Sequence, residues 1–241
     1  MIIEGINAVT EALSGEMTIE KVLVTKTAQN PRIAKIVAMA KKNRIKVFFE
    51  DGSRLDKMST SNNHQGVMAV ATEFQYTEIE DILDAERTDP LLLVLLDGIE
   101  DPHNVGAVIR VVDSVGGAGI VLPKHRSASV NDTVIRTSAG AASHVAVAKV
   151  TNINDVIRDL VDRGITVLAA DMGGSSVYDT DLTGDIAIVI GGEGSGVHTL
   201  TKKLSSGIIS LPQLGAVNSL NASVATGVML YEAIRQRKFK R

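Results

Sequence analysis

Cysteine is absent from all 241 residues, tryptophan is absent as well, and aromatic residues make up only 3% of the chain. Without cysteine there is no disulfide, no zinc ribbon and no thiol nucleophile, which suits a reducing compartment. With so few rings the core must be aliphatic, and base stacking on an aromatic platform is not the expected way to hold nucleic acid. No stretch approaches the ~18 consecutive apolar residues of a membrane span. The N-terminal MIIEGINAVTEAL has neither the basic start nor the long apolar centre of a signal peptide. The five histidines (His64, His103, His125, His144 and His198) have no metal-ligand spacing. The expectation is a soluble, cytoplasmic protein with no metal.

What is present is a chain 44% apolar, enough for a real core. The net charge of −3 does not suggest nucleic acid, but its distribution does. Between Lys21 and Phe49 stand Lys21, Lys26, Arg32, Lys35, Lys41, Lys42, Arg44 and Lys46, with no acid among them. The tail adds Arg235, Arg237, Lys238, Lys240 and Arg241, and acids collect around Glu78 to Asp101. Local basic patches bind phosphate even on an acidic chain, although a merely solvated helix face reads the same way.

The first 74 residues alternate helix and strand. GINAVTEAL reads as helix, KVLVTK as strand, PRIAKIVAMAKKN as helix with Pro31 in its first turn, IKVFFE as strand, DGSRLDKMS as helix and GVMAVATEF as strand. Residues 75–90 are acidic with almost no strand signal and are expected to form a helical linker. From Leu91 the pattern changes. LLLVLLD is an unbroken apolar run, as in a strand buried on both faces. Further strands are expected at 119–123, 145–150, 166–171, 186–192 and 207–212, with helices between them, which argues for a parallel α/β sheet covered on both sides.

Three segments stand out. DGIEDPHNVGAVIRVVDSVG (97–116) turns from the first buried strand into a helix with Asn104 expected as its cap. Val105, Val108, Ile109, Val112 and Val115 form its apolar stripe. Arg110 falls off the stripe, and an off-stripe arginine is most often a surface charge. The helix mouth also offers free N–H groups to a phosphate. IVIGGEGSGVHTLT (188–201) places four glycines within six residues after a strand, where a ligand can approach the backbone. The order is G-x-x-G-x-G, not the dinucleotide G-x-G-x-x-G, and no Gly-Lys-Ser/Thr follows. Glu193 inside this loop is either an acceptor for backbone N–H groups or a ligand contact. ISLPQLGAVNSLNASVATG (209–227) leads through a glycine loop into a helix headed by Ser219 and Asn221, unusually small and polar for a helix start. Tight helix packing alone would also explain it.

DPHNVGAVIR, IGGEGSG and LPQLGAVNSLNASVATG, in this order and spacing, resemble the three signature motifs of the SpoU/TrmH group of RNA ribose 2'-O-methyltransferases. The resemblance covers about 91–241, and EGINAVTEAL…KVLV…GV is similar to the substrate-binding domain of bacterial 23S rRNA guanosine 2'-O-methyltransferases. It implies an RNA substrate-binding domain at 1–74, an acidic linker at 75–90, and a catalytic domain at 91–241. The catalytic domain would then be a parallel-sheet α/β trefoil knot of the SPOUT type, against the general rarity of knots. S-adenosylmethionine would sit in the knot, against Ile190, Gly191, Gly192, Leu211, Ser219 and Leu220. Ser219 and Asn221 would order the pocket, while Val224, Ala225 and Val228 pack the later face of the same helix. Arg110 becomes the leading catalytic residue, with Asn104 and Glu193 shaping the pocket. An arginine is an awkward base, being always protonated, so it is either that or a stabiliser of the developing alkoxide. The resemblance also implies a homodimer, for which helices at 104–115 and 219–236 are candidates. Lys21, Arg32, Lys35, Lys42 and Arg44 would hold RNA through phosphates. A guanosine of 23S rRNA is the first target, with tRNA or another rRNA nucleotide as the alternative. A non-catalytic RNA-binding protein is the reading from another class. A nucleotide-dependent oxidoreductase fails on the glycine pattern.

Overall fold

The computed structural model describes residues 1–14, 19–43, 45–61, 63–71, 74–215 and 219–239. It divides into two compact units, Met1–Gln75 with Val130–His144, and Tyr76–Ser129 with Val145–Arg241.

The first unit runs β1 (Ile2–Glu4), α1 (Ile6–Ser14), β2 (Ile19–Thr25), α2 (Pro31–Lys42), β3 (Lys46–Glu50), α3 (Gly52–Met58) and β4 (Val67–Ala71). Its sheet has the order β1-β4-β2-β3, with β3 parallel to β2 and β4 antiparallel to both β1 and β2. The helices start where local chemistry dictates. Asn30 accepts from Arg32 N, Pro31 takes the first position, and Ile33, Ile36 and Ala40 recur at helical spacing on the buried face. The sequence reading lacks β1, because three residues carry too little alternation to be seen. Pairing with β4 makes it a strand, and the Met1 ammonium extends the ladder by donating to Ala71 O at 2.8 Å.

The second unit begins with α4 (Ile79–Asp84), β5 (Leu92–Asp97), α5 (Pro102–Ser114) and β6 (Gly119–Pro123). Next come α6 (Asp132–Thr137) and a one-turn 3₁₀ helix (Ala141–Ser143), which pack with the first unit. The second unit then resumes with β7 (Val147–Val150), α7 (Ile153–Asp162), β8 (Thr166–Ser176), β9 (Ile186–Gly191), α8 (Thr199–Leu204), β10 (Gly207–Ser210) and α9 (Ala222–Lys238). The acidic segment thus holds a helix, α4, and its Ile82 and Leu83 are buried in the core of the second unit.

All the pairings in the order β10-β8-β9-β5-β6-β7 are parallel. Every residue of β5 is buried, as its unbroken apolar run requires. Leu93, Leu95, Val121, Val167 and Val189 form the core with Ile157 and Leu160 of α7. In a parallel sheet every strand ends at the same edge. The chain proceeds from β5 to β6 on one side, whereas the other neighbour of β5 is β9. Loops after β5 and β9 therefore flank a topological switch point, where α/β sheets bind ligands.

Two expectations about α9 are corrected. Val224 is exposed and Ala225 and Val228 are only half-buried; the packed face is Ala222, Thr226, Met229, Leu230 and Ala233. Hydrophobicity misleads here because the Thr226 hydroxyl satisfies itself on Ala222 O at 2.7 Å and can be buried freely. The basic tail is also not a free patch. Arg235 pairs with Glu232, Lys238 with Asp89, and Arg237 donates to the carbonyls of Pro90, Leu91, Leu182 and Gly184. Lys240 and Arg241 lie outside the described residues. Among the described residues no helix is long and apolar enough to cross a membrane.

Candidate active site

Three loops at the carboxyl edge of the second unit's sheet build the site. The first leads from β5 into α5. The sequence reading places Asn104 at the cap, but the structure gives that role to Asp101, which accepts from His103 N at 2.9 Å ahead of Pro102. Asn104 is instead the third helical residue and is buried. Its amide nitrogen donates to Glu193 Oε1 at 3.0 Å.

The second loop follows β9. It doubles back so that Gly196 N donates to Gly192 O at 3.0 Å. A Cβ on Gly191 would overlap the backbone of Gly196 and Val197, and Gly196 itself takes φ +63°. The glycines are therefore demanded by the hairpin as well as by any ligand. Asp97, buried at the end of β5, clamps both ends of this hairpin. Its carbonyl accepts from Gly192 N at 3.0 Å, and its carboxylate accepts from His198 N and pairs with His198 Nδ1, both at 2.9 Å. Sequence reasoning passes over Asp97 and gives His198 no role beyond its lack of metal-ligand spacing. The available signal was an acid terminating an otherwise apolar buried strand.

The third loop enters α9. Residues 216–218 lie outside the described residues, and the helix begins after Asn221. Asn221 Oδ1 accepts from Ser223 N at 2.9 Å and from Ser223 Oγ at 2.5 Å, which caps the helix. Its Nδ2 donates to Asn104 Oδ1 at 2.8 Å and to Glu193 Oε1 at 2.9 Å. Asn104, Glu193 and Asn221, one from each motif, thus share one hydrogen-bonded network.

That network borders a cavity of about 720 Å³, a size suited to a cofactor. Ile190, Gly191, Gly192, Leu211, Ser219 and Leu220 all line it, as do Glu193 and Asn221. Asp171 at its wall pairs with Lys202 at 2.8 Å and accepts from Met172 N at 2.7 Å. The sequence reading missed Asp171, although an acid closing the strand TVLAAD was visible. Among the described residues the lining has two carboxylates and no lysine, arginine or histidine. Such a wall is poorly matched to the phosphates of a dinucleotide. Ile190, Leu211 and Leu220 would offer apolar contact to an aromatic base, and the carboxylates would suit a cationic group, both of which S-adenosylmethionine carries.

Arg110 is exposed on α5, does not line the cavity, and has no side-chain partner among the described residues. In the first unit, Lys35 and Lys42 are exposed on α2, Lys21 is half-buried on β2, and Arg32 donates to Asn7 Oδ1. Arg44 lies outside the described residues. No group of three or more His, Cys, Asp or Glu among the described residues could hold a metal.

Residues 91–231 match the SpoU rRNA Methylase family, and residues 2–77 match the family described as RNA 2'-O ribose methyltransferase substrate binding. The chain is 39% identical over 240 residues to 23S rRNA (guanosine-2'-O-)-methyltransferase RlmB of Xanthomonas campestris pv. campestris, covering 98% of this chain and 96% of that one. It is 39% identical over 238 residues to an uncharacterized tRNA/rRNA methyltransferase of Mycobacterium sp. (strain KMS), covering 97% and 76%. The crystal structure of the SpoU methyltransferase AviRb from Streptomyces viridochromogenes, in complex with AdoMet, matches with a TM-score of 0.85 at 25% identity, over 100% of this chain and 91% of that one.

Proposed function

The chain belongs to the SpoU rRNA methylase family and is an S-adenosylmethionine-dependent RNA 2'-O-methyltransferase, and from that premise we propose that its target is a guanosine of 23S rRNA. The observation that supports the reading best is the Asn104–Glu193–Asn221 network, which draws all three motifs to one cavity without a basic lining.

Bound S-adenosylmethionine supplies a methyl group activated by a sulfonium. Ile190, Gly191 and Gly192 offer one wall of its site and Leu211, Ser219 and Leu220 another. Glu193, held by two amides, keeps a carboxylate where a cationic centre is favoured. A ribose hydroxyl is a weak nucleophile and needs help. Arg110 gives it by stabilising charge on the 2'-oxygen and gripping the adjacent phosphate, whose oxygen takes the proton. The family's trefoil knot and homodimer are part of this proposal. Arg110 stands outside the cavity of its own chain, and α5 and α9, which pack on each other, expose Val224 and Tyr231 for a second copy. Sedimentation should give a dimer at micromolar concentration; a monomer would contradict it.

The deciding experiment is methyl transfer from labelled S-adenosylmethionine to unmodified 23S rRNA, with tRNA in parallel and the modified ribose mapped. A single guanosine in 23S rRNA is the expected result. Label on tRNA alone would keep the chemistry and replace the substrate.

A further inference from the structure

Five of the seven aromatic residues are exposed, and two of them, Phe48 (43%) and Phe49 (55%), are consecutive on β3. Among the described residues β3 is the edge of the first unit's sheet and pairs only with β2. Adjacent rings on an open sheet edge invite unwanted pairing, and proteins usually blunt such edges with charge or proline. Exposed rings of this kind mark a contact surface.

The surroundings identify the occupant. Register places Lys21 opposite Lys46 and Leu23 opposite Phe48. Side chains alternate along a strand, so Lys21, Lys46 and Phe48 share the face on which Leu23, Leu55 and Met68 cluster. Phe49 projects to the opposite face. Three described acids nearby in sequence are engaged: Glu50 with Arg54 and Asp51 with Lys26, both at 2.9 Å, and Asp56 with His64 at 3.0 Å. An apolar ring beside ammonium groups that have no acidic partner among the described residues fits a ligand that is flat and apolar in one part and anionic in the next. A nucleobase on its phosphate backbone is such a ligand, and stacking tolerates any base because each has a π-face.

We propose that the β3 edge is a stacking site for unpaired nucleobases of single-stranded RNA, with Phe48 as the ring beside Lys21 and Lys46, which meet the flanking phosphates, and Phe49 as a second ring on the opposite face of the same edge. The site rests on the RNA-methyltransferase reading and deepens it: the substrate would present an unpaired segment to the first unit. A duplex, with its bases stacked on each other, would not occupy it.

Because the chain has no tryptophan, Phe48→Trp in the full-length protein installs a single tryptophan at the site, excited at wavelengths where tyrosine does not absorb. A short oligoadenylate is expected to quench its emission, and an RNA duplex of the same length to leave it unchanged. The Phe48→Ala/Phe49→Ala double variant should bind oligoadenylate about tenfold more weakly and raise KM for RNA similarly, with S-adenosylmethionine affinity unchanged. Phe48→Tyr, which keeps the ring, should retain the affinity and serves as the control for folding. Unchanged oligoadenylate affinity in the double variant would overturn the proposal. So would a change in oligomeric state with RNA binding intact, which would give the edge to a second copy of the chain. Failure of the unaltered protein to methylate any RNA would sink the activity, whereas the quenching by oligoadenylate would still support the stacking site.

Discussion

Asn221 uses its two side-chain ends for different purposes. The oxygen caps α9, and the nitrogen ties Asn104 and Glu193 together. Two substitutions separate these roles. Asn221→Asp keeps the capping oxygen but loses the donor and sets a second carboxylate against Glu193. Stability should fall by about 1–3 kcal/mol through the lost donor and the opposed carboxylates, and S-adenosylmethionine affinity should fall by about tenfold or more. Asn221→Ala loses the cap as well and should cost a further ~1 kcal/mol in a denaturation series. Equal cofactor affinity in the Asp variant and the parent would show that the network is only a helix cap. Arg110→Ala provides the contrast. The residue lies outside the cavity lining, so cofactor binding should survive while methyl transfer is abolished. Comparable activity in that variant would remove Arg110 from the chemistry. Of this site, the three motifs were legible because unusual residue types cluster there. The clamp by Asp97 was not, since one carboxylate serving two ends of a hairpin leaves no periodic trace.

At the scale of elements, legibility followed burial. The β5 run could be read because both its faces are covered, and β6, β7, β9 and β10 because they are short apolar runs. β8 was read only over its apolar first half, since residues 172–176 carry no apolar pattern, and a one-turn 3₁₀ helix (Val177–Asp179), not the expected helix, joins it to β9. β1 escaped because its strand character comes from β4, not from its own three residues. Its last residue nevertheless anchors a loop. Glu4 accepts from Ser59 Oγ and Ser61 Oγ at 2.6 Å and from Thr60 N and Oγ1 at 2.8 Å. Burial alone would raise this carboxyl, but the hydrogen bonds more than reverse it, holding its pKa at about 2 against the ordinary 4.5. A depressed carboxyl stabilises the fold above its unfolded pKa, and the contribution is lost as pH falls through 4.5 toward 2. Glu4→Gln should therefore cost on the order of 3 kcal/mol at neutral pH, with the gap to the parent closing in denaturant titrations below that range. A gap independent of pH would refute it. α9 is held at its far end by Arg237. Burial lowers the pKa of this guanidinium, Asp185 and Asp89 oppose the shift, and the group remains a cation on four carbonyls. Arg237→Lys cannot span that fork and should lower stability by about 2 kcal/mol, read as a shift in denaturation midpoint without a change of slope.

For the molecule as a whole, composition hid two things that placement reveals. Residues 130–144 join the first unit from far along the chain, a long-range packing that no local pattern encodes. The few aromatic residues that argued against stacking lie mostly on the surface. Charge behaves in the same way. The net value of −3 sums over a tail whose described cations are engaged internally and an N-terminal face where Lys26, Arg32 and Arg54 are engaged but several lysines have no acidic partner among the described residues. Among the described residues Lys21, Lys35, Lys42 and Lys46 have no acidic partner. If these four neutralise phosphates of single-stranded RNA, counterion release sets a log–log slope of affinity against salt of about −3 from this face alone. Changing all four to glutamine should flatten the measured slope by that amount and leave S-adenosylmethionine binding untouched. A slope unaltered by the four substitutions would place the phosphate contacts on the second unit, and the basic face would then be the solvated surface that its composition equally allows.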